Sequence, residues 1–410
     1  MVIKKSFLIQ FALLCVSPIL GLASAFLFVI NKRFSPFVLS FSLALVLVYM
    51  PLMYDVSSGF FAYLDYESGY IVNQLHFINY IAGYLYSIFG LDYFYVVFLI
   101  CFMSLFFWFK TYQSITKQRF ADTLNIYIFF IFVFLLTYKE LMDLNRSFFA
   151  YIISMYAISS FQFHGRKLLR NSFFILAFLV HPSSIIIPGS YLLAKYVRLS
   201  KFYFFLLALV SIFIGINIDV FLPLILRFVP SNSFLQTYLT SDVWGVSDNQ
   251  GLGKLLLYFV QAGLIFSCVL FALKNNNNRL SKTFLFVVIF FFVFIKFRVF
   301  GERFFLASTI CIPLILVGIK SVNYNLLLIV FFAFLKFFSY NFYIFGYIFT
   351  DDFNYVLESP AKRNEMMLKP VYLPTIYLLN INHFGYSNDF IEKESTWQID
   401  VYNNKLSGKE

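Results

Sequence analysis

The chain has 410 residues, of which 61% are hydrophobic and 12% are Asp, Glu, Lys or Arg, about half the roughly 25% charged fraction of a soluble domain. At roughly 20 apolar residues per spanning helix, that content supplies about a dozen crossings, and continuous apolar runs exclude an alternating outer-membrane barrel. A net charge of +11 would suggest nucleic acid in a soluble protein, but here the cations cluster between apolar runs, so the lipid bilayer is the expected partner and nucleic acid is not.

Apolar runs near 7–30, 36–53, 91–109, 121–138, 147–163, 203–222, 254–273, 283–300, 304–319 and 325–348 predict an all-α, polytopic integral membrane bundle. Basic clusters at Lys32/Arg33, Lys110/Lys117/Arg119, Arg166/Lys167/Arg170, Lys195/Arg198/Lys201 and Lys274/Arg279/Lys282, with Lys320, mark the cytoplasmic loops. The acidic loop 54–75, the loop 223–253 and the tail after Thr350 then face outward. Lys4 and Lys5 oppose this orientation. Cleavage after Ala25 would strand Lys32/Arg33 outside, so an uncleaved first helix is expected.

Segment 76–90 reads as an interfacial amphipathic helix on the outer face. Between Arg170 and Lys195 both ends are inside, and Pro182 and Pro188 interrupt the stretch. Proline disfavours helix in the residue before it and opens a new helix well. Two short helices, 171–180 and 183–195, turning at His181-Pro182, satisfy both facts and bring the count to about twelve transmembrane helices. Irregular backbone at membrane depth persists only where protein buries it or water lines it, which makes this turn a place to look for function.

Residues 1–350 form the expected multi-pass domain. The polar tail 351–410, with Pro360, Pro370 and Pro374, is expected outside and is too short for a substantial domain of its own. Cys15, Cys101, Cys268 and Cys311 lie in apolar runs without CxxC spacing and read as small buried hydrophobes.

An ionisable residue at membrane depth is a functional candidate, because insertion costs roughly 2.5–3.5 kcal/mol at a helix centre. Snorkelling near a helix end removes most of that cost. Arg146 opens the run 147–163, after Lys139, Glu140 and Asp143; it is either an interface anchor paired to Asp143 or a substrate ligand. His181, at the Pro-broken turn and followed by Ser183 and Ser184, is either a hydrogen-bonded helix terminus or a titratable base. The four histidines show no metal-ligand spacing, so neither a metal nor a cofactor is expected. Lys296, Arg298, Glu302 and Arg303 put three cations at an outer face, against the orientation rule, which anion recognition explains better.

These positions are similar to a known pattern. Arg146-Ser147-Phe148-Phe149-Ala150, then Arg166/Lys167, then His181-Pro182-Ser183, resembles the EpsG family of Wzy-type polysaccharide polymerases. Arg303-Phe304-Phe305 resembles the family's later Arg with aromatics, and Asp55, Tyr63 and Glu67-Ser68-Gly69-Tyr70 resemble its early outer loop. Ser68 stands where the family has Pro, and its Asp-x-x-x-Tyr spacing is not kept after Asp55.

The resemblance implies a GT-C-like bundle in the bacterial plasma membrane, a metal-independent glycosyltransferase for O-antigen, capsule or exopolysaccharide. It would join undecaprenyl-diphosphate-linked oligosaccharide units at the outer face. Arg146, Arg298, Arg303 and Lys296 would hold the diphosphate and His181 would accept a proton, with Asp55, Tyr63, Glu67 and Ser183 as further substrate-binding residues and Asp55 the one to orient the sugar. A polysaccharide chain-length regulator is a possible partner. The alternatives are a flippase for the same lipid-linked unit and another polyprenyl-phosphate-dependent glycosyltransferase, for which Asp65/Glu67 could imitate the usual acidic pair.

Overall fold

In the computed structural model, described for residues 5–30, 35–51, 60, 77–116, 122–161, 166–197, 200–227, 252–274, 278–317, 319, 321–350 and 360–394, the regular structure is helical. Two compact units divide the chain: residues 1–113, 136–149 and 340–410 form the first, and residues 114–135 and 150–339 form the second.

In the first unit the run 7–30 is two helices, Lys5–Val16 and Pro18–Ile30, where one span was expected. Pro18 lacks an amide hydrogen and favours a helix start, and Ser17 Oγ accepts the Ile19 amide at 3.2 Å. Helix Pro36–Leu47 follows, its entry fixed by Ser35, which caps Val38 N and whose own amide donates to buried Gln10 Oε1 at 2.8 Å. Helix Phe77–Phe89 is present where the amphipathic segment was expected. Gly90, in the left-handed region at φ 62°, ends it and admits the turn into helix Tyr93–Thr116.

The tail is helical over Pro360–Tyr372, Thr375–Leu378, Ile381–Phe384 and Asn388–Glu394. It docks within the first unit. Tyr49 donates to the Leu378 carbonyl at 2.7 Å, Tyr95 accepts the Ile381 amide at 3.0 Å, and Asn388 bonds both Tyr93 N and Asp92.

The second unit is built around helix Arg279–Val293, most of whose side chains are buried. Helix Lys201–Ile216 lies close to it because Gly215 has no side chain; a Cβ there would sit 2.1 Å from the Phe292 carbonyl oxygen. Such backbone proximity through small residues is how helices associate in lipid. The same helix is apolar on its outside. Phe202, Phe205, Leu209 and Phe213 are exposed, while Phe204, Ala208, Ser211 and Gly215 face inward. A stripe of that size is unfavourable in water and suited to lipid.

Among the described residues, three helices are long and apolar enough to cross a membrane: Tyr93–Thr116, Leu256–Lys274 and Tyr324–Phe342. A fourth candidate is Lys201–Ile216 with Ile218–Leu224, bent by 86°. About twelve full spans are not confirmed by the described residues. Pro18 divides the first run into Lys5–Val16 and Pro18–Ile30, and helix Pro36–Leu47 ends inside its run.

Candidate functional site

The stretch after Arg166 folds as helix Lys167–Val180, a single 3-10 turn Pro182–Ile185 and helix Ile186–Tyr196. Arg170 and Tyr191, eleven residues before and ten after His181, are hydrogen-bonded at 3.0 Å, which requires the chain to reverse at His181. At 1.5 Å per residue the two helices are about 21 and 16 Å long, short of a roughly 30 Å hydrocarbon core. His181 is extended (φ −157°, ψ 121°) between them.

This break is locally closed. The His181 amide donates to Ala177 O, the Ser184 amide donates to His181 O, both at 3.0 Å, and the Ser183 amide points to His181 Nδ1 at 3.3 Å. The side chains of three residues then line up. His181 Nδ1 and Ser183 Oγ are 2.7 Å apart, and Ser183 Oγ is 2.8 Å from the Tyr151 hydroxyl. Tyr151 is fully buried in helix Asn145–Phe161, His181 and Ser183 are half-buried, and Arg303 acts electrostatically on the Tyr151 phenol. His181, Ser183 and Tyr151 of the second unit thus form one polar chain, with the charge of Arg303 acting on its tyrosine end. It can move a proton along its hydroxyls and present positive charge to an anion.

The run 283–300 ends earlier than expected, at Val293. A turn leads to helix Arg298–Ile310, which carries both Arg298 and Arg303. Arg298 opens that helix and Arg303 follows about one and a half turns later. Lys296, in the turn, is bonded to Asp219 at 3.2 Å, with both side chains partly exposed. A pair of this kind is weak but reduces the positive charge offered to an anion.

Arg146, half-buried at the second position of helix Asn145–Phe161, belongs to the first unit, whereas the His181 constellation belongs to the second. Just before it, Thr137 caps helix Tyr138–Met142 and donates to buried Glu140 at 2.8 Å. Asp55, Tyr63 and Glu67 lie outside the described residues. Among those described, no group of three His, Cys, Asp or Glu is placed to hold a metal ion.

Two residues of interest escaped sequence reasoning. Tyr151 follows Ala150 directly, and its signal was a phenol within an apolar run. Lys336 lies in the candidate span Tyr324–Phe342 and is fully buried. It donates to the Leu135 carbonyl at 3.0 Å and stands 6.0 Å from the Phe305 ring centre. A lone cation inside the run 325–348 was the available signal, by the same rule that singled out Arg146.

The EpsG family model matches residues 54–357. The chain belongs to the EpsG family. Membership makes it a polysaccharide-polymerase-like membrane protein, in keeping with the helical, outwardly apolar architecture. No curated protein and no solved structure matches it. Arg146-x-x-x-Ala150, His181-Pro182-Ser183 and Arg303-Phe304-Phe305 all fall inside the matched EpsG region.

Proposed function

We propose that this EpsG-family chain is a metal-independent glycosyltransferase of the Wzy type in the bacterial plasma membrane. It joins undecaprenyl-diphosphate-linked oligosaccharide units at the outer face to make O-antigen, capsule or exopolysaccharide. The supporting observation is the bonded His181–Ser183–Tyr151 chain at a helix break, with Arg303 in electrostatic reach of its far end.

The reaction is a displacement at an anomeric carbon. The acceptor hydroxyl oxygen forms the new glycosidic bond, the carbon–oxygen bond to diphosphate breaks, and the diphosphate leaves with the electron pair. Fixed cations in a water-poor site stabilise that growing charge, a role for Arg303, with Arg146 and Arg298 as further ligands and Lys296 as a weaker one because of Asp219.

The acceptor's proton goes to Ser183 Oγ as the serine's own proton moves to His181 Nδ1, the ring nitrogen that also accepts the Ser183 amide, while the Tyr151 hydroxyl donates to Ser183 Oγ. Neutral imidazole near pH 7 suits this task. Asp55, Tyr63, Glu67 and Ser183 are proposed sugar contacts, and a chain-length regulator is a proposed partner.

The test is polymer length in a producing host. Arg303→Ala is expected to leave single units capped onto acceptor with protein level unchanged, and persistence of long chains overturns the assignment. Arg146→Lys keeps the charge and removes the planar fork; an activity equal to the parent's reduces Arg146 to an interface anchor. Retention of units on the cytoplasmic leaflet in either variant supports a flippase.

A further inference from the structure

Three helical segments of the second unit meet at Tyr191, and none of them contains an acid. The sequence has no Asp or Glu between Asp143 and Asp219, nor between Asp248 and Glu302. The hairpin 167–196 and helix Arg279–Val293 therefore cannot neutralise their own cations.

Two guanidinium groups nevertheless converge there. Arg279 lies 3.5 Å from the Tyr191 ring centre and donates from Nε and Nη2 to the Tyr191 carbonyl at 3.2 and 2.9 Å. Arg170 lies 5.1 Å from the same ring centre, donating from Nη1 to the Tyr191 hydroxyl at 3.0 Å and from Nη2 to Asn171 Oδ1 at 3.2 Å. Its Nε is buried and has no acceptor among the described residues.

The two charges repel each other. Burial, opposed by Tyr191 and joined by the charge of Arg170, holds the Arg279 guanidinium below its ordinary value. Lys195 donates to the adjoining Tyr196 at 3.1 Å, and Tyr196 lies in the field of Arg279. Aromatic stacking and neutral acceptors order these cations without cancelling them. The cancelling charge must come from outside these segments.

We propose that Arg170 and Arg279, braced on Tyr191, form a binding site for a phosphate-bearing anion, either a phosphodiester headgroup of the bilayer or free phosphate. An arginine fork matches phosphate oxygens in pairs, and basic pockets between membrane helices are suited to anionic headgroups. The site is separate from His181, since it occupies the open end of the hairpin and His181 the closed end.

The full-length protein, purified in neutral detergent, is reconstituted into phosphatidylcholine vesicles with or without one quarter phosphatidylglycerol, and its thermal unfolding midpoint is read. Sodium phosphate added to the phosphatidylcholine sample forms the second arm. A ligand that binds only the folded protein raises that midpoint, here by about 2–4 °C.

Arg170→Gln, which leaves the Arg279 bonds to Tyr191 in place, is expected to lose the rise, and Lys201→Gln, at an exposed position on another helix, is expected to keep it. Response to phosphatidylglycerol alone assigns the headgroup as ligand, and response to both anions assigns phosphate as such. Indifference of the parent protein to both overturns the site. So does an equal rise in Arg170→Gln, or an equal loss in Lys201→Gln, which would mark diffuse surface charge. A simple structural clamp lowers the midpoint of Arg170→Gln in phosphatidylcholine but leaves its response to anion intact.

Discussion

Two helix ends in the second unit interrupt apolar sequence, and they are closed in opposite ways. At Val180–His181 the freed backbone groups bond to residues at most four positions away, Ala177 and Ser184. At Leu135, just past helix Asp122–Phe134, the carbonyl is met by Lys336, 201 residues along the chain. Backbone groups without water must find partners inside the protein. Local closure uses one side-chain contact, the Ser183 amide on His181 Nδ1 at 3.3 Å, and leaves the Ser183 and Tyr151 hydroxyls and the rest of the imidazole available for other work. Remote closure holds a buried charge against a helix C-terminus, where the helix dipole favours a cation, and commits it to structure.

His181→Ala is the strongest way to break that comparison. If the locally closed break is the reactive one, removing the general base costs about 100-fold or more in polymerisation while the folded protein persists, because the Ala177 and Ser184 bonds use only backbone. The readout is polymer length together with protein level in the membrane. Wild-type chain length in this variant would make His181 a helix terminus and nothing else.

Lys336→Met tests the other end. Methionine keeps the length of the side chain and removes the donor, leaving the Leu135 carbonyl unmet at a cost of about 1–3 kcal/mol. The unfolding midpoint in detergent is expected to fall, with activity per folded molecule unchanged. A variant that stays stable but loses activity would move Lys336 out of the structural class and into the site, beside Phe305 and the Arg303 helix.

The same contrast explains what the sequence could disclose. The hairpin at His181 was legible because its determinants are consecutive: two short runs, a proline and small hydroxyl residues between equal basic ends. The all-helical class was legible from the apolar runs. The divisions of the first run at Ser17-Pro18 and of 203–222 at Asn217 were partly visible in Pro18 and hidden in Asn217, whose amide and side chain both turn back to the Phe213 carbonyl. Tyr151 and Lys336 were missed because a phenol or an ammonium acquires its role from a partner 32 or 201 positions away. The proximity of Arg170 and Arg279 was hidden for the same reason, though the absence of acids around them was readable from the start.

The smallest expected effect belongs to Tyr151→Phe, and it refines the comparison. Phenylalanine keeps the buried ring and deletes one hydroxyl, so packing is preserved and Ser183 retains its bond to His181. A net hydrogen bond contributes about 1 kcal/mol, which corresponds to roughly a fivefold change in rate if the bond matters in the transition state. A proton-relay role therefore predicts a modest loss of turnover, an altered pH profile and little change in stability. A packing role predicts an unchanged pH profile. Partial rescue separates the two further: Ser183→Thr keeps a hydroxyl within reach of His181 and is expected to retain activity, whereas Ser183→Ala cuts the chain between histidine and tyrosine and is expected to match or exceed the loss in Tyr151→Phe. Equal activity in all three variants would restrict the chemistry to His181 and the arginines, and the bonded chain would then serve only to hold the imidazole at the break.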